Sequence, residues 1–222
     1  MNLEELEKHV TLMEDIQEIE NLQRMYGYYF DTQQHAKIVD LFSESTVSVE
    51  IESHGQFLGK DGVRRMFWQD TGDRPAPPPP RRLLRRFIGV ATVIMQLGGV
   101  VNVNPDGKTA TGRWQTWLAE TFPFGGRLGQ YWLQGYYENE YVKEGGKWLF
   151  SKLFWNTSFY TRFETGWMVQ PLVGFLPRDN SDNPPTAFFP YPSGYKFPYS
   201  FPHPITGEKY DPGDTYQDPM AM

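Results

Sequence analysis

The chain of 222 residues is long enough for one large domain or a domain with an appendage, and its 39% hydrophobic content allows a real core. A formal net charge of -6 disfavours nucleic acid as a partner, and the lack of cysteine excludes a disulfide framework and any thiolate metal site. No apolar run approaches the roughly 18 residues needed to span a bilayer, so the expectation is a cytoplasmic protein without a membrane partner.

Leu3, Leu6, Val10, Met13, Ile16, Ile19, Leu22, Met25 and Tyr29 recur every three or four residues, which predicts an amphipathic helix from Leu3 to Phe30. Its end carries Tyr26-Gly27-Tyr28-Tyr29-Phe30-Asp31. Tyr26 and Asp31 are offset by about 140° around a helix, so both reach one cavity only if the helix stops near Asp31. A second, short helix is expected from His35 to Phe42. Val47, Val49 and Ile51 alternate with Ser48, Glu50 and Glu52, a half-buried strand that His54-Gly55-Gln56 turns into Phe57-Leu58. A third helix opens at Gly59-Lys60-Asp61 and runs through Trp68, with Asp61 as its cap.

The prolines of Asp73 to Pro80 hold an extended surface loop, because they lack amide donors. Arg81-Arg82-Leu83-Leu84-Arg85-Arg86 follows, either an anion patch or a solvated face with the leucines turned inward. Four long strands are expected at Ile88 to Val103, Thr109 to Phe122, Leu128 to Lys143 and Trp148 to Arg162. The breaks contain Asp106-Gly107, Gly125-Gly126 and Gly145-Gly146, which are hairpin signals. Three helices followed by such a meander form an α+β pattern, in which a curved sheet can wrap the helices into a cone with a pocket. Beyond Arg162, nine prolines from Pro171 to Pro204 interleave with Phe and Tyr, so this extension is expected to lie ordered against its own domain or a neighbouring subunit.

Aromatic residues make up 16% of the chain, stocking a core, an interface or the walls of a pocket for an aromatic ligand. Strand alternation puts Arg113, Gln115 and Trp117 on one face and Trp114, Thr116 and Leu118 on the other. The face with Arg113 meets either the pocket, where it would stabilise a developing negative charge, or solvent. Lys152, bracketed by Trp148, Phe150, Phe154 and Trp155, is either a buried proton shuttle or half of a surface ion pair with Glu138 or Glu140. Asp31 is either a partly desolvated acid/base or a cap for the next helix. His9, His35, His54 and His203 show no ligand spacing, so no metal site is expected, and no nucleotide-binding or hydrolase motif is present.

In order along the chain stand Ile19-Glu20-Asn21-Leu22 leading to Tyr26 and Asp31, Val39-Asp40-Leu41-Phe42-Ser43-Glu44, Gly55, and Gly59-Lys60-Asp61-Gly62-Val63. Asp106 to Trp114, Gly135-Tyr136-Tyr137-Glu138 and Gly146-Lys147-Trp148 follow. The set resembles the SnoaL-like branch of the nuclear transport factor 2 superfamily over about residues 8 to 160. The resemblance implies a strongly curved, mostly antiparallel sheet wrapped around three N-terminal helices. The domain would span residues 1–162, with the extension at 163–222. It also implies a cofactor-free pocket holding Tyr26 and Asp31, and a dimer or trimer of identical chains. Many members place a histidine in the strand matched by Ile94-Met95-Gln96; here Gln96 can hydrogen-bond but cannot move a proton at neutral pH.

The aromatic extension is similar, more narrowly, to that of bacterial enzymes acting on lignin-derived aromatic dimers. These look like cofactorless lyases that release formaldehyde from a 1,2-diarylpropane-1,3-diol and leave a stilbene. Carried to this sequence, the resemblance implies a small aromatic substrate, Asp31 as general acid/base, Tyr26 as hydroxyl partner, and Arg113 and Lys152 as charge stabilisers. Tyr29, Trp68, Gln96, Trp117, Tyr131 and Trp155 would line the pocket. A dehydratase or double-bond isomerase using the same Tyr26 and Asp31, and a non-catalytic ligand-binding protein, are the alternative expectations.

Overall fold

A computed structural model of the chain describes residues 2–67, 91–124, 127–172, 177–195 and 200–209. The Pro-rich and Arg-rich segments and Trp68 lie outside the described residues. Helix α1 spans Leu3–Asp31 and begins with a capping box, in which the Asn2 side chain accepts from the Glu5 amide and the Glu5 carboxylate accepts from the Asn2 amide. Helix α2 is His35–Asp40 and α3 is Gly59–Phe67, so Asp61 sits in the first turn of α3 rather than capping it. Strands β1 (Ser48–Ile51) and β2 (Gln56–Leu58) flank a 3-10 turn, Glu52–His54. The long strands are β3 (Ala91–Val103), β4 (Thr109–Phe124), β5 (Arg127–Glu144) and β6 (Lys147–Arg162).

The six strands form one sheet in the order β2-β1-β6-β5-β4-β3. Every neighbouring pair is antiparallel except β1 with β6, where Ser48 lies opposite Lys152 and Ile51 opposite Trp155. Register shifts interrupt β3 between Leu97 and Val100, and β5 at Gln134/Gly135 and Glu140/Tyr141. Bulges of this kind bend a strand and raise its twist, which curves this sheet around the helices.

Cross-strand register fixes two faces. Trp114 opposes Tyr137, which opposes Trp155, and all three are buried on the inner face with Leu118, Leu133, Tyr141 and Phe150. Ile19, Tyr26, Ile38, Phe42, Val63 and Phe67 of the helical layer close over them. The buried stripe of α1 is Asp15, Ile19, Gln23 and Tyr26, whereas Leu3, Leu6, Val10 and Met13 are exposed. The helix therefore packs along a stripe with polar members, and each of these has partners. Asp15 accepts from Lys143 and from the Trp148 indole, while Gln23 accepts from Asn139 at 2.9 Å and Tyr141 at 3.1 Å. Buried polar groups are tolerable when bonded in this way.

The sheet's outer face carries Arg113 opposite Glu138 and Lys152 opposite Glu140. Residues of the C-terminal extension lie along the β2 edge and on the outer face, where Thr186 donates to the buried Glu50 carboxylate and Asn156 donates to the Ala187 carbonyl. No described helix is long and apolar enough to cross a membrane.

Candidate active site

Tyr26 marks the closed end of the concavity. Its ring lies 5.8 to 6.1 Å from those of Phe30, Phe67, Tyr137 and Phe150, and its hydroxyl accepts from that of Tyr137 at 3.4 Å. Burial pushes both phenols well above their ordinary range, so they stay protonated.

Further along the inner face, register brings together Thr116 and Glu120 of β4, Tyr131 of β5, and Trp155, Thr157 and Tyr160 of β6. Glu52 joins them from the turn after β1. Its φ of 55° rotates the side chain out of the β1 alternation, and the residue is only 1% exposed. The Thr157 hydroxyl donates to Glu52 Oε1, and the Tyr160 hydroxyl donates to Glu120 Oε1. Tyr131 and Tyr160 pack edge to face at 5.4 Å. Gly135 lets the wall pack closely, since a Cβ there would fall 2.4 Å from the Asn156 carbonyl and 2.8 Å from the Trp155 indole nitrogen.

Among the described residues, four buried polar atoms in this region have no hydrogen-bond partner: Glu52 Oε2, Thr116 Oγ1, Tyr131 Oη and Trp155 Nε1. Buried polar atoms need a partner, so each of these can take a hydrogen bond from or give one to a ligand or to water.

Burial also sets the acidity. It holds the Glu52 carboxyl well above the usual range, and the Glu120 charge adds to this, while the Thr157 bond and the Arg178 charge oppose it. Glu120 is raised by burial and lowered by the Tyr160 bond. Two carboxyls with different hydrogen-bonding surroundings are the ingredients of paired acid and base work. Donors that can hold ligand oxygens lie beside them.

Of the residues expected from the sequence, Tyr131 and Trp155 belong to this surface, with Tyr26 behind it. Gln96 also points inward, but it accepts from Gln23 and so closes the polar ladder that Gln23 shares with Asn139 and Tyr141. Asp31 stands at the rim, where α1 ends. Its Oδ1 accepts from the Ile94 amide at 2.9 Å, fastening the helix to the edge strand β3, and burial raises its carboxyl against the pull of that bond.

Four residues lie elsewhere. Arg113 and Trp117 are on the outer face: Arg113 pairs with Glu138 and covers the Tyr136 ring, and Trp117 packs on Trp132 and Phe159. Lys152 is outside as well, 3.3 Å from Glu140 and 41% exposed, so it is a surface ion pair. Tyr29 is on the side of α1 away from the cluster, under Lys37 and beside Leu41 and Trp148.

The residues that sequence reasoning missed are Glu52, Thr116, Glu120, Thr157 and Tyr160. Glu120 carries a signal, since alternation puts it with Trp114, Thr116 and Leu118. For Glu52 the alternation points the wrong way: it groups the residue with Ser48 and Glu50 on the polar side of β1, but the positive φ turns Glu52 into the interior. Among the described residues no cluster of three or more His, Cys, Asp or Glu side chains could hold a metal ion.

A helical layer inside a curved mixed sheet, with paired acids on the inner wall, defines a cone-shaped α+β protein. The chain belongs to the SnoaL-like domain family, whose model matches residues 11–153. No curated protein sequence matches it. Among solved structures, it resembles a provisionally named scytalone dehydratase from Novosphingobium aromaticivorans, with 16% identity, a TM-score of 0.55, and 76% of this chain and 99% of that one covered. It likewise resembles the type 3 hexachlorocyclohexane dehydrochlorinase LinA from Novosphingobium barchaimii, with 14% identity, a TM-score of 0.56, and coverages of 76% and 99%. At these identities the likeness is one of fold.

Proposed function

We propose that this protein is a lyase that works by acid–base chemistry, without a cofactor, on a phenolic two-ringed substrate of the 1,2-diarylpropane-1,3-diol type. The observation that carries the reading is Glu52, a buried acid whose carboxyl burial holds well above the usual range, favouring its protonated form, and whose Oε2 has no partner among the described residues. Tyr131, Trp155 and Tyr160 supply aromatic walls, and the unpaired Thr116, Tyr131 and Trp155 donors are suited to substrate oxygens.

Glu52 protonates the benzylic hydroxyl, which leaves as water while the para-phenol loses its proton and its electrons form a quinone methide. The Glu120 carboxylate then takes the proton of the neighbouring hydroxymethyl group. The bond between that carbon and the chain breaks, formaldehyde departs, and the electron pair rearomatises the ring to a phenolate. A proton returned to this phenolate completes the balance: diol gives stilbene, formaldehyde and water. The quinone methide is the electron sink, and each positioned proton transfer contributes about 10²–10⁴ in rate.

The test is to incubate purified, chelator-treated protein with such a diol and follow stilbene absorbance and formaldehyde together, with Glu52→Gln as control. Both products from wild type and neither from the variant support the lyase. A dehydrated product without formaldehyde identifies a dehydratase, which needs only the first half of the same sequence. Conversion by neither, with ligand retained, identifies a binding protein.

A further inference from the structure

The family match ends at residue 153, yet a segment well beyond it reaches the site. The sheet's order leaves β2 at an edge, and residues 182 and 183 pair with that edge. The Gln56 amide donates to the Asn183 carbonyl at 2.9 Å, and the Asp182 and Asn183 amides donate back to the Gln56 carbonyl. Asp182 is the clasp: both its oxygens accept from Arg65, at 2.8 and 2.7 Å, and one also accepts from the Leu58 amide. Gly55 makes the close approach possible, with φ of 99° and a would-be Cβ only 2.6 Å from the Ser181 hydroxyl and 2.7 Å from the Asn183 carbonyl.

This clasp fixes Arg178. Its amide donates to the His54 carbonyl at 3.2 Å, in the same turn as Glu52, and its guanidinium donates to the Met66 carbonyl at the end of α3 at 2.8 Å. The Ser181 hydroxyl holds the Arg178 carbonyl at 3.0 Å. A partly buried cation is thus wedged between the Glu52 turn and α3, held by backbone on both sides.

We infer that the C-terminal extension completes the active site, with Arg178 as a positioning residue that tunes the Glu52 carboxyl and Asp182 as the clasp that keeps it in place. The inference rests on the reading of Glu52 as proton donor. The titratable groups facing Glu52, among the described residues, are Glu120 from β4, Tyr137 from β5, Tyr160 from β6 and Arg178 from the extension. Arg178 is the one cation in that set, so it alone opposes burial by charge. Without it, Glu52 would hold its proton to a still higher pH. With it, the acid releases its proton more readily, as a donor in turnover must.

The experiment follows the Glu52 carboxyl directly in ligand-free protein, by carbon NMR of labelled glutamate across a pH series, assigned by the signal missing from Glu52→Gln. Arg178→Met is expected to raise the Glu52 midpoint by about one pH unit, and Arg178→Lys to restore it. Asp182→Ala, which leaves Arg178 intact but unclasped, is expected to raise the midpoint in the same direction. In turnover, the alkaline limb of the rate profile moves upward with the midpoint. A midpoint in folded Arg178→Met within about 0.2 units of wild type overturns the inference, since it is far below the shift expected of a nearby charge. Should Arg178→Met not fold, an unchanged midpoint in Asp182→Ala does the same. A shifted midpoint in a protein that converts no phenolic diol supports the inference while removing the proposed reaction.

Discussion

The Thr157 hydroxyl donates to one oxygen of Glu52 and leaves the other, Oε2, buried on the inner face with no partner among the described residues. A carboxyl anchored through one oxygen is held in orientation while its second oxygen is available to a ligand. In the proposed reaction this orientation would hold the acid ready to donate.

Glu52→Gln keeps the size and the Thr157 bond but removes the proton, so turnover is expected to fall by about 10²–10⁴. Stability moves the other way. Because folding raises the Glu52 pKa, the unfolded chain releases this proton first. The contribution of Glu52 is intact below the ordinary carboxylate range and is lost as pH rises through the folded value. Urea unfolding at pH 4 and pH 8 checks this: the variant gains on wild type as pH rises, with a limiting slope of about 1.4 kcal/mol per pH unit. An advantage confined to pH 4 would contradict the sign.

Tyr160→Phe takes away the hydroxyl that holds Glu120. That bond opposes burial, so the Glu120 pKa rises further and less of it is ionised at neutral pH. We expect turnover at neutral pH to drop by about 10- to 100-fold and the acid limb of the rate profile to move upward. An unchanged acid limb would exclude Glu120 as the base.

The two outer-face cations separate stability from chemistry. Arg113 and Glu138 have side chains only 9% and 15% exposed, so Arg113→Met strands a nearly buried carboxylate and is expected to cost about 3 kcal/mol. Lys152→Met, at a pair 41% and 55% exposed, should change stability by less than about 0.5 kcal/mol. Rates per folded molecule should match wild type in both, read as kcat after correction for the folded fraction; a large loss in either would bring that cation back into the mechanism.

Asp31 is expected to act through the fold. Asp31→Asn retains an oxygen for the Ile94 amide and should keep kcat within about threefold, whereas Asp31→Ala loses the bond and about 1–2 kcal/mol of stability. Thermal melts and turnover on the same samples distinguish the two. A tenfold or larger loss of kcat in Asp31→Asn alone would return Asp31 to the chemistry.

Helices and strands were legible in the sequence to within a few residues, although in α1 the apolar period and the buried stripe part company, since Leu3, Leu6, Val10 and Met13 are exposed while Asp15 and Gln23 are buried. Which face of a strand looks inward was not. Alternation separates Arg113 and Trp117 from Thr116 and Glu120, but both faces of β4 mix aromatic and polar residues, and only the partners decide. Arg113 finds Glu138 and Tyr136 outside, so it incurs no unpaired burial, while Glu120 turns inward to Tyr160. The family resemblance gave the cone and the positions of Tyr26 and Asp31, but not their partners. Glu52 depends on a single positive φ, and Arg178 on contacts with residues more than a hundred positions earlier in the chain, neither of which leaves a periodic trace.

The parallel pairing of β1 with β6 has a consequence for how the chain comes together. Val49 cannot meet Leu153 until a hundred residues have been made, and the helices have no complete inner wall to rest on before then. The sheet then closes only when the last strand slots between β1 and β5, late and all at once, as a long-range topology requires. The extension that follows ties itself to β2, so segments 127 residues apart hold each other beside the Glu52 turn.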